Sequence, residues 1–144
     1  MKILIGIDDS KFSQAAVESV AGRSWTPGTE IKVVSAIEPP FVPGAEGVGQ
    51  EGNHYEIARK LIDKAIAAFR ASKNHFEMSG EIIEGSAKQV ILDEAENWKA
   101  DLIVVGSHGR RGLDRFLLGS VSQAVALHAK CSVEIVRTPK AQTA

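Results

Sequence analysis

The stretch Leu102-Ile-Val-Val-Gly-Ser-His-Gly109, with Gly119-Ser120 following after nine further residues, decides how this chain folds. Its first four residues form a short apolar run, which predicts a buried strand. The segment Val121–Leu127 carries apolar residues at helical spacing. Glycines allow close backbone approach, and a helix N-terminus offers unpaired N–H groups. A strand, a glycine-containing loop and a helix that begins with glycine and serine therefore predict a phosphate-binding arrangement.

Four further apolar segments complete a pattern in which strands alternate with helices. The predicted strands are Ile3–Ile7, Ile31–Ile37, Phe76–Ile82, Leu102–Val105 and Ser132–Val136. Helices are predicted after Ser10, which can cap the first one, from Asn53, after Gly85-Ser86 and from Gly119. Such alternation implies parallel pairing with right-handed crossovers. The fold class is therefore α/β, a single-domain, doubly wound, five-stranded parallel sheet with helices on both faces.

Length and charge limit the class of protein. With 144 residues the chain is expected to form one domain, over residues 1–138, followed by a polar C-terminal tail over 139–144. A net charge of −1, from 17 basic and 18 acidic residues, argues against nucleic-acid and membrane-surface partners. The single cysteine, Cys131, cannot form an internal disulfide, which favours a cytoplasmic setting. We expect no signal peptide and no membrane-spanning segment.

A long loop is predicted from Glu38 to Gly52, because that stretch contains three prolines and four glycines. Loops of this length in a compact domain are usually functional or mobile.

Topology and motif point to the same place for a ligand. In doubly wound sheets, ligands bind beyond the carboxyl ends of the strands, where the winding reverses. With the strand order 3-2-1-4-5 the reversal lies between the first strand, which is followed by Asp8, and the fourth, which is followed by Gly106. We therefore predict a nucleotide site between these two strand ends.

Roles within that site follow from residue chemistry. Gly106 and Gly109 are expected to shape the loop, and the start of the last helix is expected to receive phosphates through Gly119, Ser120, Val121 and Ser122. Asp8 is an anion, so it would serve sugar hydroxyls or a metal that bridges to phosphate. Ala36 could line an apolar slot for a base. The remaining residues of the predicted nucleotide-binding set are Ile7, Val105, His108 and Arg110.

Several catalytic patterns are absent from the sequence. It contains no G-x-x-x-x-G-K-[ST] loop and no G-x-S-x-G, and its four histidines lack metal-ligand spacing. No catalytic residue is therefore assigned.

Three segments together resemble the universal stress protein family, specifically its ATP-binding branch: Ile3-Leu-Ile-Gly-Ile-Asp8, Asp101-Leu-Ile-Val-Val-Gly-Ser-His-Gly-Arg110 and Leu117-Leu-Gly-Ser-Val121. The resemblance covers essentially the whole chain. It implies the strand order 3-2-1-4-5 of an adenine nucleotide alpha hydrolase-like fold, and ATP near Asp8 and the glycine loop. It also implies homodimers through Ser132–Val136 and a role as a stress-response regulator or effector with an unidentified protein partner. Three functions stay open beside the implied ATP binding: slow ATP hydrolysis assisted by Asp8 and Mg²⁺, preference for AMP or a cyclic nucleotide in the same pocket, and a protein-interaction module without nucleotide.

Two residues depart from the family pattern. Asp9 stands where small or apolar residues are common, and it adds negative charge near the expected phosphates. Glu134 stands in the last strand, where the family is usually apolar, so at a dimer seam it must find a partner or weaken the contact. A charge on an exposed edge can instead discourage strand pairing.

Overall fold

The computed structural model describes residues 1–38, 51–109 and 118–138. Their elements are β1 (Lys2–Ile7), α1 (Lys11–Ala21), β2 (Glu30–Ile37), α2 (Glu51–Ala71), β3 (Glu77–Glu84), α3 (Ala87–Trp98), β4 (Leu102–Gly106), α4 (Ser120–His128) and β5 (Ser132–Val136). All strand pairs are parallel and the sheet order is β3-β2-β1-β4-β5. The predicted fold class and strand order are therefore confirmed.

Two of the described helices pack on each face of the sheet, and β1 is apolar on both faces. Its odd-numbered residues, such as Ile3 and Ile5, are fully buried and belong to the core that α1 and α2 cover. Leu4 points the other way and packs in the core beneath α3 and α4. A strand covered on both faces is typical of a parallel sheet with crossover helices.

The described helix and strand limits differ slightly from the predicted ones. The predicted loop end at Gly52 was wrong, because α2 begins at Glu51, two residues before Asn53. Glycine is unfavourable mainly in the interior of a helix. Gly52 lies in the first turn, where the backbone N–H groups make no intrahelical hydrogen bonds, so its cost to helix stability is small. Strand β3 continues past Ile82 to Glu84, which pairs with Ile37. The remainder of the predicted loop, residues 39–50, and the predicted tail, residues 139–144, lie outside the described residues.

The sheet edges are β3 and β5, so the expected position of the Phe76–Ile82 segment at an edge is confirmed. No helix within 1–38, 51–109 and 118–138 combines the length and apolarity needed to cross a bilayer. At the carboxyl edge of the sheet, β1 is flanked by β2 and β4. This order places the residues after β1 beside those after β4.

Candidate functional site

Asp8 follows β1 directly, and the first turn of α1 holds its side chain. Its Oδ1 accepts hydrogen bonds from the backbone N–H of Ser10, at 2.8 Å, and from the Ser13 hydroxyl, at 2.9 Å. The Asp8 backbone N–H donates in turn to Ser13 Oγ at 2.8 Å. The other carboxylate oxygen, Oδ2, lies 3.0 Å from where a Cβ on Gly109 would stand. One oxygen of Asp8 is therefore occupied by the protein, and the other is turned to the loop after β4.

Ser10 caps α1 as predicted, since its hydroxyl accepts from the Ser13 backbone N–H at 3.3 Å. The cap fixes the chain direction between Asp8 and the helix. Asp8 thus stabilises the start of α1 through Oδ1 and turns Oδ2 to the loop.

Gly106, the last residue of β4, allows a close approach between the sheet and α1. A Cβ on Gly106 would lie 2.6 Å from the carbonyl oxygen of Phe12 and 2.8 Å from its Cβ. The close approach expected at Gly106 is therefore made by the backbone of Phe12. The missing side chain of Gly106 allows α1 to pack directly against the end of β4.

His108 lies between the same helix and the loop. Its Nδ1 is 3.1 Å from Ser107 Oγ, and its ring centroid is 5.1 Å from that of Phe12, with the planes tilted by 49°. These contacts hold the loop backbone in place. Gly109 follows directly, and a Cβ at this position would lie 3.0 Å from Asp8 Oδ2.

Two hydrogen bonds tie the start of α4 to the carbonyl group of Ser107 in the loop, and a third lies within the helix start. Gly119 N–H donates to Ser107 O at 2.8 Å, and the buried Ser122 hydroxyl donates to Ser107 O at 2.9 Å and to Gly119 O at 3.0 Å. A Cβ on Gly119 would lie 3.0 Å from His108 Cα. The hydroxyl of Ser122 therefore serves the protein fold, and Gly119 is needed for the close contact.

The first turn of α4 presents backbone donors. Gly119 is the N-cap, and the first intrahelical bond runs from Gln123 N–H to Gly119 O at 3.0 Å. The N–H groups of Ser120, Val121 and Ser122 precede that bond, so they have no acceptor within the helix. This turn has no acidic residue to compete for its partial positive charge. Unpaired helix N–H groups of this kind are suited to an anion, so the predicted phosphate role of this turn stays a prediction.

The remaining predicted residues divide into three groups. The side chains of Ile7 and Val105 are buried in the core, and that of Val121 packs against it. Ala36 is half-buried and follows Ser35, which pairs with Ile7, so it borders the position of Asp8. Arg110 lies outside the described residues, as do residues 111–117.

Asp8 also borders a groove between α1 and α2, whose charged lining residues are mostly acidic. The groove has a volume of about 150 Å³, and Asp8, Asp9, Glu18 and Lys64 contribute its charges. An anion is disfavoured beside three carboxylates, so phosphates are expected on the α4 side of Asp8. Among residues 1–38, 51–109 and 118–138, no group of three or more His, Cys, Asp or Glu is arranged to hold a metal ion.

Phe12, Ser13 and Ser107 were not predicted from the sequence. Phe12 contacts both Gly106 and His108, Ser13 holds Asp8, and Ser107 receives the start of α4. The signal for Ser13 was its position three residues after the capping serine, where a hydroxyl lies on the same side as the cap. The other two contacts join distant segments and leave no local pattern.

Glu134 finds a partner within its own chain. Arg23, which follows α1, binds both carboxylate oxygens of Glu134, with Nη1 at 2.9 Å from Oε1. Arg23 Nε also donates to Ser19 O at 3.1 Å, and its guanidinium lies 4.8 Å from the ring centroid of Trp25. The departure from the family pattern at Glu134 is therefore accompanied by a fixed counter-charge.

Comparison with known proteins identifies the family and agrees with the fold. The model of the universal stress protein family matches residues 1–137. Universal stress protein Sll1388 of Synechocystis sp. is 49% identical over 149 residues, which cover 94% of this chain and 97% of that protein. Universal stress protein A homolog 2 of Coxiella burnetii is 36% identical over 143 residues, which cover 94% of each chain.

Solved structures share the fold. The hypothetical protein MJ0577 superposes with a TM-score of 0.85 at 24% identity, over 97% of both chains. A universal stress protein in complex with cAMP gives 0.64 at 26% identity, over 96% of this chain and 98% of that one. The Archaeoglobus fulgidus universal stress protein in complex with dAMP gives 0.68 at 21% identity, over 94% and 97%. The chain therefore belongs to the universal stress protein family.

Proposed function

We propose that this chain binds an adenine nucleotide, with ATP as the expected form, between the carboxyl ends of β1 and β4. The proposal rests on the way the end of β1, the loop after β4 and the start of α4 come together. Asp8 Oδ2 faces Gly109 of the loop, and Gly119 packs against the same loop at His108. Backbone donors from the start of α4 and a carboxylate thus flank one short loop. The first suits phosphate and the second suits ribose hydroxyls.

The polarity of the site sets the direction of the ligand. The phosphates are assigned to the N–H groups of Ser120, Val121 and Ser122, because Asp8 repels anions on its own side. The base is assigned to the side of Ala36, which borders Asp8 at the end of β2. The related protein bound to cAMP, 26% identical to this chain, supports an adenine nucleotide as the ligand class.

Mg²⁺ would be the alternative partner of Asp8 Oδ2, in place of the ribose hydroxyls, when ATP is bound. This ion is usually held by one or two protein carboxylates together with substrate phosphates, and Asp8 has one oxygen turned to the loop. The ion would neutralise phosphate charge. Family membership supports a role as a stress-response regulator or effector, and the free thiol of Cys131 supports a cytoplasmic setting. The protein is further proposed to act as a homodimer through β5.

Nucleotide retained through purification tests the binding proposal. The protein is denatured, and the supernatant is analysed by mass spectrometry, while calorimetry with ATP, AMP and cAMP ranks the ligands. We expect a retained adenine nucleotide or calorimetric binding of at least one of the three. Absence of both would leave a protein-interaction module and contradict the proposal.

A further inference from the structure

A cavity lies at the amino edge of the sheet, at the end opposite to the proposed nucleotide site. It has a volume of about 190 Å³ and lies between the end of α3, the start of β4 and the segment that joins α4 to β5. Ligands of doubly wound sheets usually bind at the carboxyl edge. The cavity is therefore separate from the nucleotide site and is considered by its own lining.

The floor of the cavity is apolar. It consists of side chains that belong to the core beneath α3 and α4 or pack against it: Leu92, Ala95, Ala100, Ile103 and Ala129. Cys131 also lines the cavity, and burial, followed by the charge of Asp101, raises the pKa of its thiol. The thiol is therefore neutral at pH 7 and does not repel an anion. Since a cavity of about 150 Å³ holds one benzene molecule, this one suits a ligand of about six to eight non-hydrogen atoms.

The rim of the cavity carries more positive than negative charge. Lys99 and Lys130 stand against a single carboxylate, Glu96, and Lys130 Nζ binds Glu96 Oε1 at 2.8 Å. Lys99 makes no ion pair with any residue in 1–38, 51–109 or 118–138. His128, in the last turn of α4, adds a polar ring. The rim therefore attracts an anion.

Lys99 has a backbone conformation that favours glycine. Its φ is 59° and its ψ is 51°, and it is the one residue other than glycine with a positive φ in the described part of the chain. Its N–H donates to Glu96 O, and Ala100 N–H donates to Ala95 O at 2.9 Å. These bonds form a Schellman motif, in which glycine usually takes the position of Lys99. The end of α3 thus does not require lysine, and its ammonium group can act at the rim.

We propose that this cavity binds a small aliphatic monocarboxylate, with its chain on the apolar floor and its carboxylate at Lys99. Burial of the methylene groups favours binding, and the uncompensated charge of Lys99 selects a carboxylate over a neutral head group. Lys130 is a second cation, whose attraction for the ligand is limited because Glu96 already binds it. The inference does not depend on the nucleotide site, which lies at the opposite edge of the sheet.

An NMR titration with hexanoate tests the proposal, because amide signals report both the place of binding and the dissociation constant. We expect a dissociation constant of about 1 mM, the range that the affinity per atom allows for a ligand of this size. The largest shifts should fall at Ala100 and Lys130. Hexanol has the same chain without the charge and should bind about fivefold more weakly.

The variant Lys99→Gly separates binding from folding. Glycine suits the left-handed conformation, so its Tm should be at least that of wild type. It should bind hexanoate about threefold more weakly and hexanol with unchanged affinity. Glu96→Gln releases Lys130 and should bind hexanoate about twofold more tightly. Lys88→Ala is the matched control, since it removes one exposed positive charge from the other end of α3, and it should bind as wild type does.

Each outcome bears on one part of the proposal. Shifts confined to the carboxyl edge of the sheet, or none at about twenty times the expected dissociation constant, overturn the site. Equal affinities for hexanol and hexanoate overturn the carboxylate as the ligand class. Unchanged hexanoate binding in Lys99→Gly overturns the role of Lys99. ATP added to the same samples is expected to shift Gly109 and Ser120, so the nucleotide proposal succeeds or fails separately.

Discussion

Replacing Gly106 by alanine tests how α1 is held against the end of β4. The new Cβ would lie 2.6 Å from the carbonyl oxygen of Phe12 and 2.7 Å from its carbonyl carbon. Carbon contacts below 3.0 Å essentially do not occur, so the backbone must move by at least 0.4 Å. The buried residues Ala16 and Val20 anchor the same helix in the core and resist that movement. Overpacking of this kind costs about 3 kcal/mol.

Gly6→Ala is the matched control. Gly6 is a strand glycine on the neighbouring β1, and its new Cβ would lie 2.5 Å from Ile91 Cδ1, nominally an even shorter contact. That atom is the end of a flexible side chain, which can rotate away at about 1 kcal/mol. Both variants gain the same small entropic advantage over glycine. The free energy of unfolding should therefore fall about 2 kcal/mol further in Gly106→Ala than in Gly6→Ala.

Urea unfolding followed by circular dichroism measures this difference, with the slope m expected to stay unchanged. In thermal unfolding the same difference corresponds to a Tm about 4–8 °C lower for Gly106→Ala than for Gly6→Ala. Equal losses in the two variants, or a smaller loss in Gly106→Ala, would refute the reasoning. They would show that α1 moves freely relative to β4.

Two further predictions concern stability. Ser13→Ala should lower the free energy of unfolding by about 1–3 kcal/mol in urea titrations, because the Asp8 backbone N–H and carboxylate both lose a buried partner. Burial by itself lowers the pKa of Lys32, but hydrogen bonds and charges from Glu94 and Glu81 outweigh it and raise its pKa above 10.5. The contribution of Lys32 to the free energy of unfolding is therefore fully present below pH 10.5 and is lost as the pH rises through the pKa of the folded state. In Lys32→Met the free energy of unfolding should consequently fall less steeply above pH 10.5 than in wild type.

Controls decide both outcomes. Ser79→Ala, on the exposed side of β3, should change the free energy of unfolding by less than about 0.5 kcal/mol. If Ser13→Ala is equally mild, Ser13 does not hold Asp8. If wild type and Lys32→Met lose stability in parallel above pH 10.5, the ion pairs of Lys32 do not contribute to the pH dependence.

The sheet and the place of the site could be predicted because their signals are local. Continuous apolar runs such as Ile3–Ile7 indicate strands covered on both faces, and glycine or serine after them marks where they end. Alternation of strands with helices then determines parallel pairing. Because Asp8 and Gly109 follow strands that the predicted order makes neighbours, they could be placed close together although about a hundred residues separate them.

The contacts that hold the site could not be predicted, because they join segments that only the folded chain brings together. Gly106 was expected to shape the loop, yet it is the close approach of the Phe12 backbone, on the helix after β1, that requires glycine there. Ser122 was expected to face a ligand, yet its hydroxyl is turned to Ser107 and Gly119. The partner of Glu134 lies 111 residues away, at Arg23.

Calorimetry with ATP and with adenosine shows whether the start of α4 binds the phosphates of an adenine nucleotide. A side chain at Gly119 would meet His108 Cα at 3.0 Å and displace the loop from the helix start. Gly119→Val should therefore bind ATP at least about tenfold more weakly, a loss of about 1.4 kcal/mol, and leave the affinity for adenosine unchanged. Leu127→Ala, at the other end of α4, should bind both as wild type does. Undiminished ATP binding in Gly119→Val, or an equal loss for adenosine, would contradict the account.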